Sequence, residues 1–122
     1  MQPRLALIAG AMVVLTAAAL AQSKGPNGGM VLGTSGHQAE LVVSATELIV
    51  YLLENGKPHA SKGTNMRAVI QQAGKTTTIN MVDQKGEKLV AKLVAPLDKG
   101  AIVVLTGKDE HGDQFNARYV VK

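Results

Sequence analysis

Three histidines and a cluster of carboxylates are the side chains in this 122-residue chain that first suggest metal or acid–base chemistry. His37 opens an apolar run, with Glu40 three residues on. His111 sits inside Asp109-Glu110-His111-Gly112-Asp113, and His59 stands alone in Lys57-Pro58-His59. Neutral imidazole with carboxylate suits a borderline divalent ion such as copper or zinc, particularly where no thiolate competes. The chain has no cysteine. The metal-site expectation is therefore His37, Glu40, His111 and Asp113. None of the histidines has a partner at i+2 or i+4, so such a site must be assembled by the fold. Its expected affinity is weak, micromolar or poorer.

Other chemistries are poorly supported. Gly33-Thr34-Ser35-Gly36 has its second glycine one residue too early for a G-x-S-x-G nucleophile elbow, and no helical pattern follows it. Asp109, Glu110 and Asp113 lie too close together for a twelve-residue calcium loop. No carboxylate pair, nucleophile with its base, or phosphate-binding glycine loop is visible, and the chain reads as a non-enzyme. Met66 and Met81 fall on the inward faces of their strands and read as core filler rather than soft ligands; Met30 stays open.

The elements that must position these residues show a period of two. Ala39, Leu41 and Val43 alternate with Gln38, Glu40 and Val42, and similar alternation marks 66–71, 76–81, 88–93 and 115–121. Leu48–Leu53 and Ile102–Leu105 are apolar on both faces, as central strands or strands at a subunit contact are. Asn55-Gly56, Ala73-Gly74, Lys85-Gly86 and His111-Gly112 supply the turns. Strands are expected near 37–43, 47–54, 66–72, 75–82, 87–94, 101–107 and 114–121. This is an all-β chain: an antiparallel seven-stranded β-sandwich, immunoglobulin-like in general build, with an open barrel as the alternative. Ala68, Ile79, Leu93 and Tyr119 should face the core. If every connection reverses the chain, His37, His59 and His111 all come to one pole.

The ends and the charge bound the setting. Arg4, the uncharged apolar stretch Leu5–Leu20 and Ala19-Leu20-Ala21 form a secretory signal peptide, with cleavage expected after Ala21. Residues 22–36 read as a flexible glycine-rich lead-in, with a short strand piece at 30–32, and 37–122 as the sandwich domain. Setting Arg4 aside leaves 12 of the 13 Lys and Arg against 9 Asp and Glu, a formal charge of +3. Those positive charges come singly. With one Phe, two Tyr and no Trp, the chain also lacks the stacking aromatics of a nucleic-acid binder. The expected partners are an efflux or other periplasmic protein, or a second copy of the chain. No nucleic acid and no membrane anchor after cleavage are expected.

The stretches GPNGGMVLGTSGHQAELVV and ELIVYLLENGKPHASKGTNMRAVIQQAGK resemble the small periplasmic domain of some heavy-metal efflux adaptor proteins and of related stand-alone exported proteins. The shared elements are a glycine pair leading into a strand, G-H-x-x-E followed by apolar residues, and an L-x-V-Y strand before a G-K-P turn. The resemblance implies a periplasmic β-domain associated with transition-metal handling. By position it maps His37 and Glu40 onto G-H-x-x-E, while Asn27 stands where the pattern often has a first histidine.

Overall fold

The structure, a computed structural model, describes residues 22–34 and 37–122. Among the described residues there is no helix and there are eleven strands. They are β1 (Ser23–Lys24), β2 (Met30–Thr34), β3 (His37–Val43), β4 (Glu47–Glu54), β5 (Lys57–His59) and β6 (Asn65–Gln72). The remainder are β7 (Lys75–Asn80), β8 (Val82–Gln84), β9 (Lys88–Lys92), β10 (Ile102–Lys108) and β11 (Gln114–Val120). They form two antiparallel sheets packed as a sandwich, not a closed barrel. The seven-stranded sheet runs β1-β2-β3-β4-β9-β8, with β5 paired to β4 beyond the end of β9, and the four-stranded sheet runs β11-β10-β6-β7.

The alternation read from the sequence sets which face is buried. Ala39 and Leu41 on β3, Leu48 and Val50 on β4, Leu89 on β9, Ala68 on β6, Val103 and Leu105 on β10 and Tyr119 on β11 point into one core. Ile79 and Leu93 pack against that core but stay half-buried, because they lie along its rim. The two-sided apolar runs are central strands: β4 lies between β3 and β9, and β10 between β6 and β11.

Four strands exceed the seven expected, and each has a physical reason. The expected strand 75–82 divides at Met81, where the chain leaves β6 as a partner and crosses to pair with β9. Asn55 and Gly56 both take positive φ (53° and 82°) and fold β5 straight back onto β4. The other two strands lie in residues 22–34: β2 extends the short strand piece expected at 30–32, and β1 forms where a flexible lead-in was expected. This segment is a hairpin. Pro26 occupies the second position of a turn closed by the Gly28 N–H on the Gly25 carbonyl at 3.0 Å. Gly28 then adopts φ 81°, and the Gly25 N–H bonds the Gly29 carbonyl at 2.9 Å. β2 pairs along β3 from Met30↔Leu41 to Thr34↔His37, so the antiparallel sheet begins well before His37. The expected signal peptide, residues 1–21, lies outside the described residues.

Two contacts join the sheets at this end. The Tyr119 hydroxyl donates to the Ala39 carbonyl at 2.7 Å within the core. The Gln22 carboxamide bonds both backbone groups of Val120, accepting from its N–H at 2.6 Å and donating to its carbonyl at 3.2 Å. Gln22 thereby acts as an extra strand residue on the edge of β11.

Candidate functional site

Adjacent strands in an antiparallel sandwich end at shared poles. The pole with most side-chain chemistry collects the start of β3, the β4–β5 hairpin and the loop between β10 and β11. Each of these segments carries one histidine. His37 is the first residue of β3 and pairs with Glu54 at the end of β4. Because β5 folds back in register, His59 lies opposite Leu52.

Between these segments lies a cleft of about 150 Å³, lined by His37, Gln38, His59, Asp109, Asp113 and Phe115 among others. Phe115 gives it one apolar wall, and the imidazoles and carboxylates come from three different parts of the chain. His59 also ties the pole together. Its Nδ1 is 3.3 Å from a carboxylate oxygen of Glu54, and its Nε2 is 4.0 Å from one of Glu110. When protonated it would bridge the β4–β5 hairpin to the β10–β11 loop.

That loop is shaped by Asp109. Its carboxylate accepts the backbone N–H groups of His111 and Asp113, both at 2.9 Å, while its own N–H bonds the Asp113 carbonyl. The Asp113 N–H is the main reason the Asp109 carboxyl titrates below its ordinary range. Partial desolvation opposes this. The His111 N–H and the nearby imidazoles of His111 and His37 add to the lowering.

The structure brings together two of the four expected ligands. His37 and Asp113 share the cleft. His111 belongs to the same loop but is exposed at its tip, with its backbone held by Asp109. Glu40 goes elsewhere. Three residues beyond His37 on a strand, it faces the opposite side of the sheet. There it is fully buried under the β1–β2 turn and accepts three hydrogen bonds: from Asn27 N at 2.8 Å, Asn27 Nδ2 at 2.9 Å and Gly29 N at 2.7 Å. Its acceptors serve the turn, which accounts for a carboxylate at this buried position without any ligand role. Met66 and Met81 are core residues, and the Met30 sulfur accepts the Gln22 side-chain amide at 2.9 Å.

His59 and Asp109 take the vacant places in the cleft. A sequence signal for His59 exists: an Asn-Gly two-residue turn fixes the register that carries residue 59 back beside residue 52. Among the described residues, no three His, Asp or Glu side chains converge closely enough, as they stand, to hold a metal ion.

No protein-family model matches the chain, and neither a curated protein nor a solved structure does. The site therefore rests on its own geometry.

Proposed function

We propose that this is a non-enzymatic periplasmic β-sandwich protein, an accessory module of heavy-metal efflux that takes up copper or zinc weakly at the His37 pole. One observation supports this reading above the others: His37 and His59 line a single cleft together with Asp109 and Asp113. Two imidazoles and two carboxylates are a borderline donor set, suited to divalent copper or zinc. The sequence resemblance to efflux-adaptor domains points to the same class of cargo. Weak affinity follows from the geometry. His59 is engaged with Glu54, Asp109 is engaged with its own loop, and side chains must turn to converge on an ion.

Calorimetry with copper(II) and zinc(II) on the wild type, His37→Ala and His59→Ala is the test. The expected result is one site of micromolar or weaker affinity, lost in both variants. Binding should fade below about pH 6, where imidazole ordinarily becomes protonated. If both variants titrate like the wild type, the reading fails.

A second reading, a protein-interaction domain, has its own supporting observation. On the outer face of the seven-stranded sheet Val42, Ile49 and Tyr51 are only half-buried, and Val82 is 64 % exposed. Light scattering across a concentration series would reveal self-association through that face. A monomer at all concentrations would remove the homodimer form of this reading.

A further inference from the structure

The outer face of the four-stranded sheet carries basic residues. Its strands are in register, so the outward residues form rows across the sheet. One row reads Asn116 on β11, Thr106 on β10, Arg67 on β6 and Asn80 on β7. The next, toward the histidine pole, reads Gln114, Lys108 and Asn65. On the other side of the first row Arg118 is paired with Val104. No outward position on these four strands carries a carboxylate.

Part of the chain's positive charge lies here. Residues 22–122 hold 12 Lys and Arg and 9 Asp and Glu. Three of those basic residues, Arg67, Lys108 and Arg118, lie on this face. Both ion-pair contacts found among the described residues belong to His59, so neither Arg67 nor Lys108 is engaged in one.

The two rows border a cleft of about 600 Å³, lined by Asn65, Arg67, Asn80, Thr106, Lys108 and Gln114, with Met66, Met81 and Gly107 completing its walls. That volume is in the range of small-molecule sites, roughly 300–1,000 Å³. Arg67 and Lys108 are diagonal neighbours across the β6–β10 pair, so both long side chains can reach one ligand. The guanidinium offers a planar fork and the ammonium a point charge, and the amides and hydroxyl add neutral donors around them.

The geometry points to a second binding site, an anion site in this cleft for a small organic molecule carrying two or more phosphate groups. Charge complementarity selects the anion. The absence of any aromatic side chain on the outward positions disfavours a nucleic acid strand, which would need stacking platforms. The two methionines in its wall, Met66 and Met81, are buried and do not project to enter a bilayer, which disfavours a membrane surface. The site adjoins the histidine cleft at Gln114 but uses none of its imidazoles or carboxylates, and it does not depend on metal binding there.

Tripolyphosphate is the probe. Calorimetry on the purified protein should show one site, weakening as salt is raised. Arg67→Gln and Lys108→Gln should each weaken it about tenfold, as the loss of a charge-assisted hydrogen bond does. Lys92→Gln makes the same change in net charge at an exposed position on the other sheet and should leave binding as it is. Absence of binding would overturn the proposal, and so would an equal loss in Lys92→Gln, which would mean attraction to net charge alone. Capture on phosphatidylglycerol vesicles that tripolyphosphate does not reverse would also overturn it, in favour of a membrane.

Discussion

Asn27 gives Glu40 two hydrogen bonds, one from its backbone at 2.8 Å and one from its side-chain amide at 2.9 Å, and Glu40 is completely buried where it receives them. A carboxylate with no exposure needs donors, and here the glycine-rich turn supplies them. The chain is also closed tightly over it: any side chain at Gly25 would collide with the Glu40 carboxyl and with Val31. Glu40→Ala should therefore cost about 1.5–3 kcal/mol, leaving the buried Gly29 N–H without its acceptor. Asn27→Ala should cost less, because the backbone bond survives. Urea unfolding of the two variants checks the order. A Glu40→Ala protein within about 0.5 kcal/mol of wild type would mean the turn does not depend on this carboxylate.

Tyr119 predicts the alkaline behaviour. Burial pushes its phenol well above the ordinary range. With the folded value raised, its contribution to stability is complete below the unfolded value near 10 and is lost as pH rises beyond it. The protein should lose stability above about pH 10, and Tyr119→Phe should flatten that loss. The same variant should cost about 0.5–1.5 kcal/mol at neutral pH, since its bond to the Ala39 carbonyl disappears. Thermal melts from pH 7 to 11 give both quantities. An unchanged alkaline slope in Tyr119→Phe would assign it to other groups.

Core truncation should separate centre from rim. Leu105 is fully buried and Leu93 is half-buried, so Leu105→Ala should cost about 2–5 kcal/mol and Leu93→Ala clearly less. Val94, 97 % exposed, should tolerate alanine within about 0.5 kcal/mol. Equal costs at positions 93 and 105 would contradict the placement of the core.

Ala73 holds φ 52°, a left-handed conformation unfavourable for a side chain with a Cβ. Ala73→Gly should relieve this and raise stability by about 0.5–1 kcal/mol, after the greater unfolded-state freedom of glycine is counted. Chemical denaturation is sufficient to measure it, and a loss of stability would count against the turn geometry.

Asp109 organises the loop that carries His111 and Asp113. Its carboxyl is held low, so its support is present above the ordinary carboxylate range and lost as pH falls through the lowered value. Amide exchange at Gly112 and Asp113, corrected for intrinsic rates, should be faster in Asp109→Asn at neutral pH. In the wild type the same loosening should appear only in acid. Protection in Asp109→Asn equal to wild type would show that the loop keeps its shape without the charge.

The sequence by itself determined the fold class and most of the strands. Period-two alternation is a local property: it names the inward face of β3, β6 and β11 before any partner is known, and the Asn-Gly and Lys-Gly pairs mark the reversals. It also indicated that the three histidines share a pole, since that needs only a count of reversals. The tertiary structure decided what local pattern cannot hold. Whether residues 22–34 are a loose lead-in or two strands depends on β3 offering a free edge and on Glu40 offering acceptors from the far side of the turn. That Glu40 faces away from His37 follows from alternation along β3, but that the β1–β2 turn roofs Glu40's face and takes its acceptors does not. The gathering of His59 with His37, and of Arg67 with Lys108, depends on strand register between segments distant in sequence. Register is set by packing the whole sandwich, because a slip of one residue turns every side chain to the opposite face.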